Sequence, residues 1–131
     1  MRCVWPTIEI AARGRDGEVS CYPIGENHHE NGILRRTSAP AKVRAKTLQQ
    51  AQTIAARILT ALDYVGVMTV ELFVAGDQLL VNEIAPRVHN SGHWTLDGAV
   101  TSQFEQHVRA ICGWALGSPA RHGRIEMHNL I

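Results

Sequence analysis

The segment "VGVMTVELFVAGDQLLVNEIAPRVHNSGHW", Val65 to Trp94, constrains the fold more than any other part of this chain. Two apolar runs, Val67 to Val74 and Leu79 to Ile84, flank a turn at Gly76-Asp77. Such runs broken by a Gly-containing turn predict an antiparallel hairpin. The second run ends among Asn82, Glu83, Arg87, His89, Asn90 and His93, all groups that prefer water. A strand with that ending either runs out into a solvated loop or stops at a site.

Alternation makes the register decisive. A three-residue loop of Gly76, Asp77 and Gln78 sets Glu71 opposite Glu83 on one face, with Cβ atoms roughly 5 Å apart. Two carboxylates that close repel unless a cation lies between them. Hard divalent ions such as Mg²⁺ take one or two carboxylates together with substrate phosphates. A shifted turn instead puts the two glutamates on opposite faces, and Glu71 is then an ordinary paired or edge carboxylate.

The rest of the chain supplies a frame for this hairpin. "RGRDG" between Thr7–Ala12 and Glu18–Ile24 predicts another, because glycine accepts the positive φ that a tight turn requires. Gly25 to Pro40 is rich in turn and polar residues and reads as a long connection with a short strand around Ile33-Leu34. From Val43 to Leu62, Ala51, Ile54, Ala55, Ile58, Leu59 and Leu62 recur at helical steps and predict an amphipathic helix. "SQFE", Ser102 to Glu105, is a capping box opening a second helix, with Phe104, Val108 and Ile111 expected inward and Gly113 at its C-terminal end. The expected class is α+β, a mainly antiparallel sheet with packed helices, in one domain spanning residues 1–131.

Composition narrows the partners. A net charge of +1, with no basic stripe or acidic tail, speaks against nucleic acid or a membrane surface. No apolar run approaches the roughly 18 residues of a membrane span, and the first ten residues lack the pattern of a secretory signal. Cys3, Cys21 and Cys112 have no CxxC spacing and read as thiols of a reducing, cytoplasmic compartment.

"DYVGVMTVELFV…LLVNEIAPRVHNSGHWTLDGAVTSQFEQHVRAI", Asp63 to Ile111, closely resembles the ATP-grasp enzymes that make 5-(carboxyamino)imidazole ribonucleotide in purine biosynthesis. "ARGRDGE", "YPIGENHHENGIL" and the terminal "NLI" look like the same family in the same order, so the likeness runs from about Ala12 to Ile131. Residues 1–11, with Glu9 out of step, match poorly. The resemblance implies the C-terminal lobe of an ATP-grasp domain. In that family ATP activates bicarbonate as carboxyphosphate, and the carboxylate passes to the amine of aminoimidazole ribonucleotide.

By this resemblance Glu71 and Glu83 are ligands of Mg²⁺, with Mn²⁺ an alternative, and Asn82 and Glu83 lie at the nucleotide. Phe73 presses on the adenine, and His29 (or its neighbour His28) lies near the nucleotide. Arg87, His89 and Asn90 handle bicarbonate and the carboxylated intermediate. A planar guanidinium suits a carbonate-type anion by two parallel hydrogen bonds. Full-length members are expected to be homodimers. His93 and Trp94 are assigned to loop packing, and His107, His122 and His128 to structural or exposed places.

The sequence also lacks family features: a Gly-rich phosphate loop, lysines placed for the α- and β-phosphates (only Lys42 and Lys46 are present), and the basic C-terminal segment. The expectation is therefore one lobe of a carboxylating ligase, inactive alone. The alternatives are a noncatalytic nucleotide- or metal-binding module and a folded inactive remnant.

Overall fold

A computed structural model describes residues 4–131. Ten elements carry the architecture: β1 (Val4–Arg13), β2 (Val19–Cys21), β3 (Gly25–Glu30), β4 (Ile33–Ala39), α1 (Ala45–Ala61), β5 (Gly66–Ala75), β6 (Gln78–Ala85), α2 (Thr95–Gly98), α3 (Gln103–Ile111) and β7 (Ile125–His128). A single 3₁₀ turn, Asn90–Gly92, precedes α2. The strands make one antiparallel sheet in the order β6-β5-β1-β3-β4-β7, with β2 also paired to β1. The α+β reading holds.

Each face of the sheet has its own core. On one face α1 buries Thr47, Ala51, Ala55 and Leu59, spaced four apart, so a single stripe meets the sheet. The small alanines let the helix approach Ala11, Met68, Val70 and Leu72, while Ile54 and Ile58 pack at the margin. Leu62, expected inward, is exposed because it lies past the last helical turn. On the opposite face Ile8, Ile10, Ala12 and Val67 pack with Tyr22 and Trp94, whose rings meet edge to face with centroids 6.1 Å apart. Trp94 thus packs as expected.

Two expectations fail here. The supposed connection from Gly25 to Pro40 is a hairpin, β3 with β4, turning at Asn31 and Gly32, both at positive φ. Its inward side carries Gly25 and Asn27 instead of apolar residues, so the alternation that marks a strand is missing.

The other failure is α3. Ser102 Oγ accepts from the Glu105 backbone N–H at 3.1 Å, and the helix ends in a Schellman arrangement, Gly113 N to Ala110 O and Trp114 N to Arg109 O. Glu105, however, turns to Arg109 at 2.8 Å instead of reaching back to complete the box. The buried face is Gln103, Gln106 and Ala110, whereas Phe104, Val108 and Ile111 face outward. The two glutamines go inward because each closes a pair of backbone hydrogen bonds there. Gln106 holds Gly117 N–H and C=O, both at 2.8 Å, and Gln103 does the same for His89.

The other sequence assignments settle simply. His107 Nδ1 accepts from the Val67 backbone N–H at 2.9 Å, and His128 lies exposed beside Glu126. Cys21 and Cys112 are free thiols, and Cys3 lies outside the described residues. No helix of the described residues is long and apolar enough to cross a membrane.

Candidate functional site

The site is built on β5 and β6. The turn between them is shorter than the three-residue loop expected: Ala75 pairs with Gln78, leaving Gly76 and Asp77 as a two-residue turn with Gly76 at φ 63°. That register holds through Leu72 opposite Val81 and, if continued, would place Glu83 opposite Val70, on the other face of the sheet from Glu71. A β-bulge changes this. Asn82 is the extra residue, after which Glu71 pairs with Glu83 and Val70 with Ile84. The glutamates face each other by a route other than the expected loop.

Around them the geometry is specific. Asn82 Nδ2 donates to Glu71 Oε2 at 3.3 Å. His89 Nε2 lies 3.9 Å from Glu71 Oε1, and both side chains are largely covered. His89 caps the 3₁₀ turn through Nδ1, which accepts from the Ser91 backbone N–H at 3.2 Å. Burial, more than the nearby Arg87 charge, lowers the His89 pKa below the ordinary histidine value, and Glu71 and Glu83 only partly oppose this.

Phe73 is half-buried on the Glu71 face, across from Leu80. Arg87 is exposed, with Nη1 folded onto the Val88 carbonyl at 3.0 Å, and Asn90 is exposed at the start of the 3₁₀ turn. His93 stacks on Phe104, ring centroids 5.6 Å apart.

His29 is exposed on β3, beside a bulge, and no hydrogen bond or ion pair of the described residues joins it to the Glu71–His89 group. His28 is also exposed and lies 3.4 Å from Glu30. The β3 residue that does reach the group is Asn27, whose Nδ2 donates to Ser91 Oγ at 2.9 Å. Asn27, Ser91 and Gln103 were not foreseen. Buried polar side chains on one face of a polar strand, a loop and a helix start leave no periodic signal.

Does the donor set suit a divalent cation? Two carboxylates stand opposite each other, and among the described residues neither pairs with a lysine or arginine. No cluster of three or more His, Cys, Asp or Glu groups able to hold a metal occurs among them either. Two carboxylate oxygens with room for outside oxygens fit Mg²⁺, which keeps waters and substrate phosphates in its shell. The face is open on the side of Glu83, Arg87 and Asn90, all exposed, and the cavities of about 650 and 700 Å³ by the β5–β6 turn and α1 are lined by other residues.

An ATP-grasp domain model matches residues 7–104. This chain belongs to the ATP-grasp family. It is 51% identical over 123 residues to the N5-carboxyaminoimidazole ribonucleotide synthase of Brucella melitensis, covering 93% of this chain and 34% of that protein. The Escherichia coli enzyme of the same name is 48% identical over 122 residues, with the same coverage. Among solved structures, the N5-carboxyaminoimidazole ribonucleotide synthetase of Thermus thermophilus superimposes with a TM-score of 0.95 at 52% identity, covering 97% of this chain and 36% of that one. The N5-carboxyaminoimidazole synthase of Aspergillus clavatus, in complex with ADP and 5-aminoimidazole ribonucleotide, gives 0.90 at 34% identity, covering 97% and 35%. The chain thus spans about a third of the length of the curated relatives it matches.

Proposed function

We propose that this chain is the C-terminal lobe of an ATP-grasp ligase of purine biosynthesis. The complete enzyme uses ATP and bicarbonate, through carboxyphosphate, to carboxylate the amine of 5-aminoimidazole ribonucleotide in the cytoplasm. The observation that carries this reading is the Asn82 bulge, which brings Glu71 and Glu83 face to face on an open sheet surface.

In this reading Glu71 and Glu83 would hold Mg²⁺, or Mn²⁺ in its place, whose positive charge would offset the negative charge of the ATP phosphates. Asn82 orients Glu71 through its amide. Phe73 offers an apolar surface to the adenine, and His29 lies toward the nucleotide from β3. Arg87, Asn90 and His89 hold bicarbonate beside the transferred phosphoryl group. Charge gathers on that group during transfer, and fixed donors stabilise it most where water is excluded. The openness of the face implies that another lobe supplies the exclusion.

The same openness supports a second reading, a noncatalytic module that binds nucleotide and metal through this half-site. Calorimetric titration with a nonhydrolysable ATP analogue, with and without Mg²⁺, tests both. Metal-dependent heat that Glu71→Gln abolishes supports the assigned half-site. Absence of heat from a chain shown to be folded removes the module reading, and turnover restored by adding the missing lobes would support the ligase.

A further inference from the structure

A row of buried polar groups stands behind His89. Thr37 Oγ1 donates to Asn27 Oδ1 at 2.9 Å, and Asn27 Nδ2 donates to Ser91 Oγ at 2.9 Å. Ser91 Oγ lies 3.1 Å from His89 Nδ1, the nitrogen that also accepts from the Ser91 backbone N–H. Thr37, Asn27 and Ser91 are all buried, so water is not available to stand in for a missing partner.

The direction of this row is fixed at one end. A backbone N–H only donates, so His89 Nδ1 must be an acceptor and carry no proton. With Asn27 donating to its oxygen, the Ser91 hydroxyl is left to donate in turn, and its neighbour is the same Nδ1. The only ring position left for the proton of a neutral imidazole is Nε2, the nitrogen nearer Glu71. Gln103 holds the residue from behind, accepting from the His89 N–H at 3.1 Å and donating to its C=O at 2.7 Å.

We propose that Thr37, Asn27 and Ser91 are positioning residues that lock His89 in the neutral tautomer with its proton on Nε2, making it a hydrogen-bond donor, and not a base, toward the anion at the Glu71–Glu83 face. The tautomer follows from the geometry alone. That the anion is bicarbonate or its phosphorylated form rests on the proposed function above. A histidine locked this way takes no proton from the substrate amine. It steadies negative charge next to two carboxylates, where an acceptor would add repulsion.

The test is heteronuclear NMR of the ¹⁵N-labelled chain at about pH 8.5, roughly two units above the ordinary histidine pKa, with His89 assigned by the His89→Gln variant. The expected result is an Nε2–H population above that of a histidine in an unfolded reference peptide. That excess should shrink, without vanishing, in Ser91→Ala, which keeps the backbone N–H donor, and in Asn27→Asp, whose carboxylate would draw the Ser91 proton away from the ring, and persist in Ser91→Thr. Amide spectra establish that each variant is folded, and should Asn27→Asp unfold, the two Ser91 variants still decide. An Nδ1–H ring, a population equal to that of the peptide, or no change in folded Ser91→Ala overturns the proposal. These populations are read without ATP or bicarbonate, so they fail separately from the ligase reading. With the other lobes added and turnover restored, bicarbonate with Mg²⁺ and ADP should shift Nε2 and leave Nδ1 in place; an unmoved Nε2 there overturns the donor role.

Discussion

Glu71 and Glu83 stand directly opposite each other across β5 and β6 because Asn82 is one residue too many in its strand. The consequence is a pair of like charges with an amide at its edge and, among the described residues, no lysine or arginine paired with either. Glu71→Gln and Glu83→Gln should each lower affinity for a Mg²⁺–nucleotide analogue at least tenfold, a loss of about 1.4 kcal/mol. Affinity without the metal should change little. Asn82→Ala should give a smaller loss, because its hydrogen bond to Glu71 is long, at 3.3 Å, and exposed. Titration calorimetry of the three variants checks the order.

Gln103 makes a prediction about stability. Its buried amide satisfies both backbone groups of His89, so Gln103→Leu leaves an N–H and a C=O without partners. The expected cost is about 2–5 kcal/mol, read by urea denaturation. Val108→Ser, on the outward face of the same helix, should stay within about 0.5 kcal/mol. The reverse pattern would mean that α3 packs the other way round.

Glu9 predicts the pH dependence of stability. It is fully buried with the Cys21 thiol as a weak donor beside its carboxyl group, and burial raises its pKa well above the ordinary value despite that opposing effect. A carboxyl whose folded pKa exceeds its unfolded one binds more protons in the folded state. Stability is therefore lost as pH rises from the ordinary carboxylate range, near 4.3, toward the raised folded pKa. Glu9→Val should stabilise the chain at pH 7 by about 1–3 kcal/mol and remove this slope. Thermal melts from about pH 4 to pH 8 would show it.

Gly66 opens β5 at φ 127°, and a Cβ there would meet His107 Cε1 at 2.7 Å. Gly66→Ala should therefore destabilise the chain by more than 1 kcal/mol, as an order of magnitude, from the backbone conformation and the clash together. Calorimetric melting of the pair measures it.

Much of this was readable in the sequence where burial and chemistry agree. The α1 stripe is apolar at helical steps, and the β5–β6 hairpin carries its turn residues in view. The bulge also leaves a trace, since Leu79, Val81 and Ile84 step by two and then by three. The β3–β4 hairpin is harder because Gly25 and Asn27 are buried by close packing and hydrogen bonding, and hydrophobicity does not register either. In α3 periodicity misleads outright: Gln103 and Gln106 win the inner face through four backbone hydrogen bonds, which apolar residues cannot make. For the site, the resemblance named Glu71, Glu83 and His89, but the residues that aim His89 come from three distant segments.

Among the described residues β6 is the last strand of its sheet, with a neighbour on one side only. Glu83 therefore rides on a segment that can flex outward against one row of hydrogen bonds, whereas His89 is held by Gln103, Ser91 and, through it, β3. The half-site joins a compliant jaw to a rigid one. On the proposed metal role, such a clamp would adjust its oxygen spacing to ions of different radius, Mg²⁺ or Mn²⁺, without disturbing the alignment of the donor beside them.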